Sequence, residues 1–166
     1  APVHVKIDTG MSRLGFPVSE KSVEEIQKIA ALPGLKMEGL FTHFSKADEY
    51  DKQPTRKQAE GYMWMKEQLQ EKGVTFTDYH CSNSAGILDM PEVNMDLVRA
   101  GIAIYGLYPS NEVDKRAVAL KPAMQIFARV TYVKWIEKGT QVSYGGTFEA
   151  TQRMRVATIS IGYGDG

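Results

Sequence analysis

Apolar and polar positions alternate with period two over His4-Val5-Lys6-Ile7, and Asp8-Thr9-Gly10-Met11-Ser12 behind them is turn chemistry, so the chain opens on a short strand followed by a loop. From Ser22 the period lengthens. Ser22-Val23-Glu24-Glu25 has the form of a capping box, Ile26, Ile29 and Ala30 fall on one face, and Pro33-Gly34 is a stop, which predicts a helix. Leu35 to Phe44 alternates again as a strand. Pro54 suits the first turn of a second helix with Ala59, Tyr62, Met63, the stem of Lys66 and Leu69 on its apolar face, closed by Gly73. The Met63-Trp64-Met65 cluster is simplest as helix packing. Thr75 to Cys81 predicts a third strand, Ser84 to Leu88 a short helix, and Asp96 to Arg99 a fourth strand leading into Gly101-Ile102-Ala103-Ile104-Tyr105-Gly106.

Strands alternating with helices imply parallel strands joined by crossovers, an α/β architecture. The pattern changes near residue 118. Met124 to Ile136, Gln141 to Tyr144 and Arg153 to Ile161 are β-branched, alternating and separated by turn signals such as Glu137-Lys138-Gly139-Thr140, with no helical period. The predicted organisation is residues 1–117 as the second half of an α/β barrel and 118–166 as the start of an all-β domain. At 166 residues the chain is too short for a complete eight-unit barrel of ~250. The N-terminus enters a strand at once and the C-terminal Gly162-Tyr163-Gly164-Asp165-Gly166 looks cut off, so the expectation is an internal piece of a longer chain.

Twenty basic and twenty acidic residues give a formal net charge of zero, which leaves no electrostatic footprint for nucleic acid or an anionic membrane. With 43% hydrophobic and 24% charged residues, wholesale disorder is excluded. The single cysteine, Cys81, cannot form an internal disulfide, which points to a reducing, cytoplasmic compartment. No apolar run approaches the ~20 residues of a membrane span.

In an α/β barrel, chemistry gathers at the C-terminal ends of strands. That rule selects Arg13, His43, Ser82 to Ser84, and Arg99 with Gly101-Ile102. The set holds no evident nucleophile: Ser84 is not in a GxSxG elbow. It holds no metal site either, since His43 and Asp48 are five apart and no HExxH exists. Gly162-Tyr163-Gly164 follows β-type sequence without a helix, so a tight turn is favoured over a dinucleotide loop. The residues that remain are anion hooks, Ser84 at a helix N-terminus and the backbone amides of Gly101 and Ile102, all suited to phosphate.

Six ordered motifs carry a resemblance: Lys6-Ile-Asp-Thr-Gly-Met-Ser-Arg13-Leu-Gly, Gly39-Leu-Phe-Thr-His43-Phe, His80-Cys-Ser-Asn-Ser84-Ala, Val98-Arg99-Ala-Gly101-Ile102-Ala-Ile-Tyr-Gly, Val142-Ser-Tyr144-Gly and Ile161-Gly-Tyr163-Gly-Asp165-Gly. In this order they resemble the alanine racemases, across the whole chain. The resemblance implies pyridoxal 5'-phosphate, an N-terminal α/β barrel, a C-terminal β-domain and a homodimer whose subunits share active sites. It implies interconversion of L- and D-alanine by two bases. One is Tyr144, serving the partner's cofactor; the other is the Schiff-base lysine, whose position the resemblance puts before Ala1, so this chain alone is expected to be inactive.

A free tyrosine pKa of ~10 makes phenolate scarce near neutrality, so Tyr144 needs a nearby cation, which His43 and Arg99 would supply. By resemblance, Arg99 also donates to the pyridine nitrogen, and a guanidinium that never loses its proton keeps that nitrogen unprotonated and restrains transamination. Arg13 points to the substrate carboxylate, Tyr163 lines the entrance, and Ser84, Gly101 and Ile102 hold phosphate. Lys6 matches a lysine that carries a carbamate in many members and there holds the arginine by a charge-assisted bond. Two alternatives stay open from sequence: a serine or broad-spectrum amino-acid racemase, and a structural or dimerisation fragment without catalysis.

Overall fold

The computed structural model of the chain describes residues 1–165; Gly166, the last residue of the Gly162 to Gly166 run, lies outside the described residues. The described residues divide into two compact units, the first Ala1–Ala123 and the second beginning at Met124.

In the first unit, β1 (Pro2–Asp8), β2 (Phe16–Pro17), α1 (Glu20–Ala30), β3 (Lys36–Phe41), α2 (Gln53–Glu71), β4 (Asp78–His80) and α3 (Ser84–Asp89) follow in order. The strands form one four-stranded, all-parallel sheet in the order β2-β1-β3-β4. Alternation along each strand sorts its side chains. Val5, Ile7, Leu40 and Tyr79 join Val23, Ile26, Tyr62, Met65 and Leu69 of the helices in the core, while Lys6, Phe41 and His80, paired in register across β1, β3 and β4, occupy the other face. Tyr62 is fully buried and donates from its hydroxyl to the Leu40 carbonyl at 2.7 Å, which ties α2 to the central strand. This is a partial α/β barrel, and of the Met63-Trp64-Met65 cluster Met65 enters the core while its neighbours pack against it.

Two expected elements differ. The helix begins at Glu20, and its cap is Ser19, whose hydroxyl accepts from the Ser22 N–H; Ser22 is buried in the first turn, so the Ser22–Glu25 capping box is not formed. The predicted strand at Asp96 to Arg99 is not a strand. The segment runs beside β4, with Asp96 N–H donating to the Tyr79 carbonyl at 3.1 Å and Arg99 N–H to the Ser82 carbonyl at 3.0 Å. However, the Asp96 carboxylate takes the Tyr79 N–H that a ladder would use. The fourth strand is instead the two-residue β2, held on β1 because Gly15 (φ +120°) has no Cβ; one placed there would lie 2.9 Å from the Lys6 carbonyl oxygen and the Asp8 nitrogen.

In the second unit, β5 (Val130–Ile136) pairs antiparallel with β8 (Met154–Ile159), and β6 (Gln141–Val142) with β7 (Phe148–Glu149). Residues 124–129, expected to begin the strand, are irregular. Ile136 and Ala150 are its buried apolar residues, and the Ala150 backbone bonds to Gly139 and Thr140 at 2.8 and 3.0 Å, closing the Glu137 to Thr140 turn. Gly162 to Asp165 is a tight turn in which Asp165 N–H donates to the Gly162 carbonyl. Among the described residues no helix is long and apolar enough to cross a membrane.

Candidate active site

The site of the first unit forms where β1, β3 and β4 end. β3 runs into Thr42 and His43, and three bonds fix that exit. Thr42 Oγ1 donates to the Ile7 carbonyl at 2.9 Å, Ser45 N–H donates to Gln58 Oε1 at 2.9 Å, and Gln58 Nε2 reaches the His43 carbonyl at 3.4 Å. Gln58 projects from α2 and is buried, so the helix sets where the strand-end loop lies.

Arg99 is the hub. Its Nη2 donates to the Thr42 carbonyl at 2.6 Å and the Cys81 carbonyl at 3.0 Å and faces His43 Nδ1 at 3.4 Å; its Nη1 meets His80 Nδ1 at 2.5 Å. These partners are two carbonyls and two imidazoles, so among the described residues the guanidinium has no carboxylate hydrogen-bond partner. Burial lowers its pKa, but a guanidinium stays protonated in proteins.

This fixes His80. A guanidinium only donates, so His80 Nδ1 accepts from Nη1 and that ring carries its proton on Nε2, whereas both hydrogens of Nη2 go to the two carbonyls and leave none for His43 Nδ1. Burial first, then the charges of Arg99, Arg13 and Lys6, lower the His43 pKa. Burial, Arg99 and His4 push His80 down to about 4. Burial and these charges disfavour a second proton on His43, so of His43 and Arg99 it is the guanidinium whose positive charge is permanent.

Beside Arg99 lies a cleft of about 260 Å³ lined by His43, Asp48, Asn83, Ser84, Gly101 and Ile102 among others. The buried Ser84 Oγ accepts the Gly101 N–H at 2.9 Å and the Ala103 N–H at 3.2 Å. The Gly101 amide is thus committed to Ser84 and is not itself a free anion hook. What remains for a ligand is the Ser84 O–H proton and the N–H of Ile102, which as first residue of the 3-10 turn Ile102–Tyr105 has no carbonyl of that turn to donate to.

Lys6 is buried on the same sheet face, and burial, then the Arg13 charge, lower its pKa, Asp8 opposing and Arg99 adding to the effect. The Asp8 carboxylate accepts the N–H groups of Gly10 and Ser12 at 3.1 and 2.9 Å, which shapes the loop presenting the exposed Arg13. Tyr144 and Tyr163 belong to the second unit. Tyr144 stands on a turn made by Ser143 (φ +65°) and Gly145 (φ +72°), and both tyrosine side chains are almost fully exposed. Sequence reasoning missed His80 and Gln58 as site residues. Alternation could have found His80, because Tyr79 faces the core and its neighbour must then share a face with Lys6.

A parallel α/β sheet with a polar cleft at its strand ends, beside an arginine that has no carboxylate hydrogen-bond partner among the described residues, followed by a β-unit, places the chain in the α/β-barrel class. Residues 1–109 match the family described as alanine racemase, N-terminal domain, and residues 123–166 the one described as alanine racemase, C-terminal domain. An alanine racemase of Desulforamulus reducens is 49% identical over 166 residues, all of this chain and 45% of that protein. A solved alanine racemase from Clostridium difficile superposes with a TM-score of 0.77 at 45% identity, covering 99% of this chain and 43% of that one. Another, from Bacillus anthracis with bound L-Ala-P, gives 0.75 at 34%, again over 99% and 43%. The chain belongs to the alanine racemase family and spans less than half the length of these relatives.

Proposed function

We propose that this chain supplies the cofactor- and substrate-orienting half of an enzyme that interconverts L- and D-alanine with pyridoxal 5'-phosphate. The observation that carries the reading is Arg99, hydrogen-bonded only to carbonyls and histidine rings among the described residues, beside the cleft that Ser84 and Ile102 line. The donors fit that cofactor. Ser84 O–H and Ile102 N–H suit its phosphate, and Arg99, with N–H groups to spare, suits its ring nitrogen as a donor that cannot hand over the proton. When bound, pyridoxal phosphate supplies the electron sink that makes the alanine Cα–H acidic.

The chain's own residues then divide the work. Arg99 keeps the ring nitrogen unprotonated, which limits delocalisation into the ring and favours return of the proton to Cα over transamination. Arg13, exposed at the end of the β1 loop, takes the substrate carboxylate. The lowered pKa of the Lys6 amine favours its neutral form, whose nitrogen adds to carbon dioxide and gives up one proton to water, and the resulting carbamate anion would hold Arg13 by a charge-assisted bond. Tyr144 carries the proton at one face of Cα and Tyr163 borders the entrance. A homodimer in which Tyr144 serves the second subunit's site is part of this reading, as is a cytoplasmic location, in keeping with a lone, buried, reduced Cys81.

The test is Arg99→Glu in the enzyme that contains this chain. A carboxylate beside the ring nitrogen favours the protonated ring, so pyruvate formation from alanine should rise relative to racemisation. Racemisation itself should fall by roughly 30-fold or more, the worth of a charged hydrogen bond of ~2 kcal/mol. Unchanged racemisation without extra pyruvate would refute the reading.

A further inference from the structure

A polar chain leaves Arg99 on the side away from the cleft and crosses the open face of the sheet. Arg99 Nη1 meets His80 Nδ1 at 2.5 Å, His80 Nε2 lies 2.9 Å from His4 Nδ1, and His4 Nε2 faces Glu38 Oε2 at 3.8 Å. Proton positions follow from its first member. Arg99 only donates, so His80 carries its proton on Nε2 and gives it to His4 Nδ1; His4 must then be neutral, with its own proton on Nε2 directed at Glu38.

Three separate features of the sequence hold this arrangement. His4 pairs with Gly39, and a Cβ at residue 39 would collide with the His4 ring at Nδ1, so the glycine is the slot in which the imidazole lies. Register slips between Val3 and His4, because Val3 pairs with Met37 and His4 with Gly39, leaving Glu38 as an extra residue. Met37 packs on the core and so does Leu40, an odd interval that alternation allows only because of this bulge, and Glu38 is thereby aimed at His4. Finally, Phe41 stacks on His80 with ring centroids 4.9 Å apart and planes 3° from parallel, which fixes the ring's plane.

We propose that His4 is a positioning residue for Arg99: by accepting the His80 Nε2–H, with Glu38 facing its own Nε2–H, it locks His80 in the one tautomer whose Nδ1 can orient the guanidinium. The charged groups facing these rings are Arg99 and Asp78 at His80, Glu38 at His4, and Lys36, which pairs with Glu38 at 3.3 Å. The proposal rests on the reading of Arg99 given above for its functional meaning, but its test does not use turnover.

That test is nitrogen-15 NMR of the histidine rings of this chain. In the wild type, His80 should show an unprotonated Nδ1 and a protonated Nε2, with His4 in the same tautomer at neutral pH. His4→Leu removes the acceptor and should move both His80 nitrogens toward the average of the two tautomers. His4→Asn, whose side-chain oxygen can stand where Nδ1 stood, should restore the wild-type pattern. A wild-type His80 protonated on Nδ1, or a His80 spectrum indifferent to His4→Leu, overturns the proposal. Where a variant fails to fold, a nitrogen–nitrogen coupling across the hydrogen bond between His80 Nε2 and His4 Nδ1 in the wild type supports the proposal, and its absence overturns it. Racemisation that proved independent of Arg99 would strike the proposed function and leave the tautomer result standing.

Discussion

His80 makes the fold acid-sensitive, and the size of the effect can be worked out. Its pKa falls from an ordinary 6.5 to about 4, chiefly through burial and then through Arg99. A depressed histidine is neutral in the fold while the unfolded chain takes up a proton below ~6.5. The unfolded state then binds more protons, and stability declines as pH falls from 6.5 toward 4, levelling off beneath. Each unit is worth ~1.36 kcal/mol, so at pH 4.5 the penalty is about 2 kcal/mol. His80 is only 4% exposed, so solvent screening removes little of it. The assay is urea unfolding at pH 7 and 4.5 of two proteins, both carrying Trp135→Phe so that Trp64 alone reports on the first unit, one of them also carrying His80→Gln. Each loses stability on acidification through the groups they share, among them His43. The protein that retains His80 should lose about 2 kcal/mol more. Equal losses, within ~0.5 kcal/mol, would refute the argument that His80 is held neutral by its surroundings.

Other outcomes follow from single contacts. Tyr62→Phe removes the buried hydroxyl from the Leu40 carbonyl and should cost about 1 kcal/mol in unfolding free energy, with no change in the sheet's spectroscopic signature. Lys52 Nζ sits 2.7 Å from the nearly buried Asp89 carboxylate, so Lys52→Met should cost ~3 kcal/mol by leaving that charge uncompensated, and adding Asp89→Leu should recover part of the loss. Gly15→Ala places a Cβ against the β1 backbone at positive φ and should cost more than ~1 kcal/mol while loosening the Arg13 loop, measured as faster amide exchange from residues 10–17. With ¹³C-labelled bicarbonate, a carbamate carbon resonance should appear in the wild type and be absent in Lys6→Met, and because the Lys6 pKa is lowered it should persist to lower pH than for a free lysine.

The alternation of Val5 with Lys6, and of Leu40 with Phe41, was plain in the sequence because period two needs only local information, and from it came the parallel sheet and its helices. The helix start was misread by three residues, since Ser19 and Ser22 are equally good capping types and only the extended backbone at Ser19 (φ −165°) decides between them. The strand at Asp96 to Arg99 failed for a related reason. A side chain that takes over a ladder bond, as Asp96 does from Tyr79, leaves the pattern of apolar positions unchanged. The site residues could be named from motifs, but the charge states could not. That the His43 pKa is lowered depends on burial and on Arg99, 56 residues away in sequence, and that Gly101 is occupied depends on Ser84.

The extra residue in β3 bears on how such a sheet can change. Val3 pairs with Met37 ahead of it and His4 with Gly39 behind it, so the strand is in step with its neighbour on both sides of Glu38. Losing that one codon would shorten the chain without rotating Leu40 out of the core or Phe41 from beside His80. Gaining it is equally silent for everything downstream. A single-residue insertion can therefore graft a carboxylate onto the far end of the sheet while the strand ends that carry His43 and Arg99 stay as they were, which lets the electrostatic background of the site be edited by length alone, with no substitution among the residues around the ligand.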